Sequence, residues 1–132
     1  MDDTSPLVAY DYALIRAVHV PTGDGITVGA IVSCRQRRFL GCTLIPPASS
    51  LPYVDAELLR RALDALQMVV NGGPDAAPIG LLPPSERFHW LTATRSTVLQ
   101  PSPVRTGITR DPAQALAQIA RDLGGAASNR SS

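Results

Sequence analysis

The side chains best suited to chemistry cluster between Ser85 and Gly107, which holds the single tryptophan, Trp90, one of two histidines, His89, and the arginines Arg87, Arg95 and Arg105. Ser96, Thr97, Ser102 and Thr106 stand among them. Arginine forks beside hydroxyl donors suit a phosphate or a carboxylate. The candidate ligand- or partner-binding residues here are Arg87, His89, Trp90, Arg95, Ser96, Gln100, Arg105 and Thr106. For a small-molecule or anion site, conceivably enzymatic, Arg87, His89, Arg95, Ser96 and Arg105 must converge within hydrogen-bond reach of one point. Strand alternation works against this, because Arg95 and Thr97 would face one side while Ser96 and Val98 face the other. On the alternative reading, the arginines pair with Glu86, Asp55, Asp111 or backbone carbonyls and pin a loop to the sheet.

His89 invites a catalytic reading as base to the Ser96 hydroxyl, oriented by Glu86. These three lie too close in sequence to show the spacing of a nucleophilic triad, and no catalytic residue is assigned. Phe88, Trp90 and Leu91 around His89 predict a short helical turn on the core with a hydrogen-bonded structural histidine. His19 reads the same way. A second candidate surface is Arg35, Arg37 and Arg38, a basic knob that is either a solvated turn or a contact for an acidic partner.

Other chemistries find little support. Asp2 and Asp3 lie at the terminus, and Asp111 is better employed as a helix cap. Gly23-Asp24-Gly25 and Gly72-Gly73 read as turns, since neither phosphate-loop nor dinucleotide spacing occurs. Cys34 and Cys42 are not spaced as metal ligands, so neither metal nor cofactor is expected. If Arg35 to Arg38 form a turn, Cys34 faces Phe39 rather than Cys42, which disfavours a disulfide.

The 132 residues allow one domain with a modest core. Hydrophobic residues at 45% and charged ones at 17% fit a globular chain rather than a disordered one. All 12 basic residues are arginine and the net charge is only +1, which gives no bulk electrostatic case for nucleic acid or an anionic membrane and excludes lysine chemistry. The low aromatic content also argues against nucleic acid. No apolar run can span a bilayer and the acidic, proline-containing start is no signal peptide, so a cytoplasmic location is expected.

The elements that position these residues follow from periodicity. Val8 to Val20 alternates as a long strand, with Val8, Tyr10, Tyr12, Leu14, Val18 and Val20 on one face. Pro21 to Gly25 is turn chemistry, then Ile26 to Cys34 reads as a strand with Ile26, Val28, Ala30 and Val32 in phase. A turn at Arg35 to Arg38 leads to a third strand, Phe39 to Ile45. Asp55 to Asn71 has helical period, with Leu58, Leu59, Ala62, Leu63, Leu66, Val69 and Val70 in one stripe, Asp55 as N-cap and Gly72 as stop. Asn71 to Pro84 reads as an exposed loop and Ser96 to Gln100 as a fourth strand. Asp111-Pro112-Ala113-Gln114 opens a second helix that Gly124-Gly125 should end. The expected fold is α+β, an antiparallel sheet of about four strands in β-β-β-α-β-α order with two helices on one face. A single domain is expected over 8–124, with flexible ends at 1–7 and 125–132.

The string SERFHWLTATRSTVLQPSPVRTG, followed by ITRDP, resembles the C-terminal signature of the DUF3037 family of bacterial proteins. YDYALIRAVHV and GITVGAIVSCRQRRFLG are similar to that family's opening strands, and the resemblance runs from about Val8 to Leu123. The chain departs from it at Thr27, where the family often has asparagine, and at Thr94, where it often has proline. The family carries no established activity. Its resemblance implies a partner relationship with HipA-like kinases rather than a catalytic mechanism. The leading expectation is therefore a non-catalytic accessory domain that binds a protein partner through a patch including Arg37 and parts of Pro101 to Gly107. The small-anion site is the alternative. An exposed edge strand would also allow a homo-oligomer.

Overall fold

The structure is a computed structural model that describes residues 5–18, 25–44, 56–93 and 99–131, with side chains to residue 123. In chain order the elements are β1 (Val8–Val18), β2 (Gly25–Cys34), β3 (Phe39–Leu44), α1 (Ala56–Asn71), α2 (Pro84–Ala93), β4 (Leu99–Pro101), β5 (Arg105–Thr109) and α3 (Pro112–Ser131). Two 3-10 turns, Pro74–Ala76 and Ile79–Leu81, fill the segment between α1 and α2 that the sequence reads as open loop. The strands form one antiparallel sheet in the order β3-β2-β1-β4, and β5 also pairs with β1. The α+β class expected from the sequence is the class of the structure.

β1 and β2 run in register from Asp11↔Ser33 to Ile15↔Gly29, then shift so that Arg16 faces Thr27 and Val28 is extra. This β-bulge changes which residues of β2 share a face. Ile26, Val28, Ala30 and Val32, which the alternation puts in phase, therefore do not share one face. Val28 and Ile31, an odd number of residues apart, both join Ile15 and Ala17 in the core cluster under α1 and α2, with Leu59, Leu66, Val70, Phe88 and Leu91. Every residue from Val28 to Cys34 is buried. A strand with no exposed alternate residue must be covered on both faces.

Cover for the second face comes from α3. On β3, Cys42 Sγ donates to Gln67 Oε1 of α1 at 3.3 Å. At its neighbour Gly41, a methyl group would lie 2.9 Å from the Leu116 side chain of α3. Consecutive strand residues point to opposite faces, so α1 and α3 lie on opposite sides of the sheet. The two helices expected together on one face are thus divided, and α2, read from the sequence only as a short turn, joins α1. The physical reason is β2 itself, whose two apolar faces both need a partner.

α3 begins as its sequence implies, with Asp111 Oδ1 accepting from the Ala113 backbone N–H at 3.0 Å and Pro112 in the first turn. It does not stop at Gly124-Gly125 but continues to Ser131. Glycine costs a helix only about 1 kcal/mol relative to alanine, and Leu123 before this pair and Ala126 and Ala127 after it are good helix formers. Nor is the start of the chain wholly unattached. The Ser5 and Pro6 carbonyls accept from Arg110 Nη1 at 2.7 Å and Arg37 Nη2 at 2.9 Å.

The fourth strand is divided. β4 pairs with Ile15 to Ala17 and β5 with Val8 to Tyr12, leaving Ala13 and Leu14 opposite the break. Proline at 101 and 103 explains the interruption, because Pro103 has no N–H to offer. Ser102 bridges it. Its backbone N–H donates to the Leu14 carbonyl at 2.8 Å, and its Oγ accepts from the Leu14 N–H at 2.8 Å while donating to the Pro103 carbonyl at 3.1 Å. A side-chain oxygen thus replaces the missing ladder acceptor. Ser102→Ala should lower unfolding stability by about 1–2 kcal/mol, measured by urea denaturation, because the part-buried Leu14 N–H loses its partner. A Ser102→Ala protein as stable as wild type would contradict this assignment.

Candidate functional site

α2 separates three neighbouring candidate residues. Phe88 and Leu91 are buried and fix the face of α2 that meets the core. At 3.6 residues per turn, His89 and Trp90 then leave on opposite flanks of that face, with Arg87 beside it. Trp90, 39% exposed, borders an apolar cleft with Ala62, Leu66, Val69, Leu91 and Leu99. His89 opens on the other side. The three cannot serve one centre.

Arg87 points toward the end of α1. Its Nη1 donates to the Leu82 carbonyl at 2.7 Å and its Nη2 to the Val70 carbonyl at 3.4 Å. Gly72, at φ 76°, ends α1 by donating its N–H to the Met68 carbonyl at 3.0 Å, and the guanidinium passes so close that a methyl there would lie 3.0 Å from Cζ. A cation at the carboxyl end of a helix also meets the negative end of the helix dipole. Arg87 Nε is buried without a partner among the described residues. Arg87 therefore ties α1 to the segment entering α2 through backbone carbonyls.

His89 lines a groove of roughly 890 Å³ between α2 and the β2–β3 turn. Arg35 and Arg38 of that turn, Glu86 and Ser85 of α2, Asp11 of β1 and Ser33 of β2 also face it. Arg35, Arg38, Glu86 and His89 are all exposed. Among the described residues the ion pairs lie on α1, where Arg60 meets Glu57 and Asp64 and Arg61 meets Glu57, and none involves the groove. Asp11 accepts from Thr106 Oγ1 at 2.8 Å. Thr106 therefore braces the groove wall.

The basic knob is split in the same way. Arg38 closes the turn with its N–H on the Arg35 carbonyl at 3.2 Å and a φ of 51°. Arg35 and Arg38 face the groove, whereas Arg37 points away and donates to the carbonyls of Pro6 and Arg110, at 2.9 and 3.1 Å. Arg37 is a clamp on the chain's own backbone and does not form part of a free basic surface. Arg105 and Thr106 also diverge, as neighbours on β5. Thr106 pairs with Asp11 on the α2 side and Arg105 sits opposite Tyr12 on the α3 side, where Gln100 of β4 also faces, opposite Arg16. Arg95, Ser96, His19 and the Asp55 cap lie outside the described residues.

Sequence reasoning missed the groove's carboxylate and its floor. Asp11 stands on the face of β1 otherwise carrying Ala9, Ala13, Ile15 and Ala17, and its register partner Ser33 is a buried polar residue. A carboxylate breaking an apolar row was the signal.

The cysteines are both free, with Cys34 paired in register to Phe39 as the turn requires. Burial against α1 pushes the Cys42 thiol from 9.0 up to about 11. No group of three or more His, Cys, Asp or Glu among the described residues could hold a metal ion. No helix among them is long and apolar enough to cross a membrane.

These features define an α+β domain whose antiparallel sheet is covered on both faces and whose hairpin turn shares a polar groove with the middle helix. The chain belongs to the DUF3037 family, described as proteins of unknown function, whose model matches residues 12–123. No curated protein and no solved structure matches the chain.

Two outcomes are expected. Arg87→Ala should lower stability by about 1–3 kcal/mol in urea titration, since the Val70 and Leu82 carbonyls lose a charged donor. An unchanged midpoint would contradict the clamp. Because the folded state favours the neutral Cys42 thiol, its contribution to stability is full below pH 9 and lost as pH rises toward 11. Wild type should therefore lose more stability than Cys42→Ala over that interval, and the absence of lysine limits competing titrations. Parallel pH profiles for the two proteins would contradict the burial of the thiol.

Proposed function

We propose that this chain is a non-catalytic partner-binding domain and that the groove between the Arg35–Arg38 turn and α2 receives a segment of the partner. One observation carries this reading: the groove gathers charges of both signs, Arg35, Arg38 and Glu86, and none of them forms an ion pair among the described residues. An open, polar, mixed-charge groove suits an extended peptide better than a small apolar ligand, because complementary charge along a chain fixes register and excludes wrong partners. Leu81, 64% exposed at its rim, adds an apolar contact of the kind that interface centres use. The family resemblance supplies the partner class, a HipA-like kinase, and the free thiols of Cys34 and Cys42 fit a reducing cytoplasm. The surface differs from the one expected at the outset, since Arg37 is occupied and Thr106 contributes through Asp11 rather than directly.

Native mass spectrometry of the tagged protein drawn from its own host should show a discrete heteromeric mass that includes such a kinase. Against that partner, Arg35→Glu with Arg38→Glu should weaken binding at least 10-fold, about 1.4 kcal/mol, with an unchanged thermal midpoint. Unchanged affinity would overturn the location, and a bare monomer in the spectrum would overturn the partner-binding reading.

A further inference from the structure

The other face of the sheet carries a second set of side chains that partner binding in the groove does not use. α3 rests on β2 and β3. Beside it, above β1 and β5, a groove of roughly 750 Å³ remains open. That volume lies within the range of small-molecule sites. Its floor is a row along β1, with Tyr10, Tyr12 and Leu14 all half-buried. The two phenol rings have centroids 5.8 Å apart and are tilted by 35°, so they form a strip of two rings and not a face-to-face stack.

The strip is held low on the sheet by its neighbour. Tyr10 lies across β5 at Gly107, where a methyl group would fall 2.6 Å from the ring and its oxygen. Only glycine leaves the ring this path. Next along β5, Arg105 stands opposite Tyr12 on the same face. It is exposed and makes no ion pair among the described residues. The α3 wall is already organised by its own hydrogen bonds, Gln118 Nε2 donating to Asp122 at 3.0 Å and Arg121 donating to Gln118 at 2.6 Å. Arg121 and Asp122, which line the groove, carry opposite charges, and Arg105, just outside the lining, adds a permanent cation at its Tyr12 end.

We propose that this groove binds a small planar aromatic anion, its ring on the Tyr10–Tyr12 strip and its carboxylate or phosphate on the fork of Arg105. Two aromatic rings beside an unpaired guanidinium supply both halves of such recognition: offset ring contact and a bidentate charged hydrogen bond. Gly107 is then a positioning residue, since it acts only through Tyr10.

The test is titration of the full-length protein with adenosine monophosphate and with anthranilate, followed by the ring resonances of the tyrosines in NMR. At least one of the two should bind saturably in the micromolar to millimolar range and shift the Tyr10 and Tyr12 signals. Arg105→Gln and Tyr12→Leu should each weaken it at least 10-fold. Gly107→Ala should do the same if the protein stays folded, and Arg105→Gln keeps the test decisive if it does not. Adenosine, which lacks the anion, and inorganic phosphate, which lacks the ring, should each bind at least 10-fold more weakly. No saturable binding of either probe, affinity indifferent to Arg105→Gln and Tyr12→Leu, or loss of binding in the Arg35→Glu, Arg38→Glu protein would each overturn the proposal. The last outcome would place the ligand in the other groove.

Discussion

β2 is buried along Val28 to Cys34 without a break, and this requirement for cover on both sides organises everything else. Fully burying a valine- or isoleucine-sized side chain contributes about 1.5–3 kcal/mol, and Val28, Ile31 and Val32 are all fully buried here. One helical layer could cover Val28 and Ile31 but not Val32. The bulge at Val28 sends that residue and Ile31 toward α1 and α2, while the remaining alternate positions, Ala30 and Val32, are left to α3. The division of helices between the faces follows directly.

That division also sorts the polar residues. Side chains close in sequence are sent to separate places by strand alternation and helical turn, so the described arginines and hydroxyls of the 85–107 segment do not share one centre. Arg87 serves α1, His89 opens toward the β2–β3 turn, Thr106 braces Asp11 and Arg105 stands beside Tyr12. The turn repeats the pattern on a smaller scale, with Arg37 clamping the chain's own start while Arg35 and Arg38 look into the groove. The arginines that bind backbone carbonyls are structural by their contacts, and the polar grooves are defined by the charges left over.

Much of the frame was legible because periodicity reports burial. β1, the turn at Arg35–Arg38, the register of Cys34 with Phe39, α1 with its Gly72 stop and the Asp111 cap all follow from local pattern. What escaped has identifiable causes. β5 is an edge strand of Arg-Thr-Gly-Ile-Thr, too polar to announce itself, and it is separated from β4 by a break that Ser102 repairs with its side chain. α2 starts on the second of a proline pair and buries only Phe88 and Leu91, too few for a stripe. The bulge adds one residue to β2, and an alternation count has no means of registering it. The groove was hidden for a different reason: its cations and its carboxylates come from segments remote in sequence, and only the tertiary fold brings Arg35 and Arg38 to Glu86 and His89.

β2 is thus a doubly covered spine with separate surfaces on its two sides. Native-state amide hydrogen exchange tests this most directly. If both faces are covered, the slowest amides are those of Val28 to Cys34, exchanging only through global unfolding, with β3 and β5 opening sooner at the sheet edges. β2 amides that exchange by local opening, as fast as those of β5, would mean that one face of the strand lacks its helix, and the account would be wrong at its root.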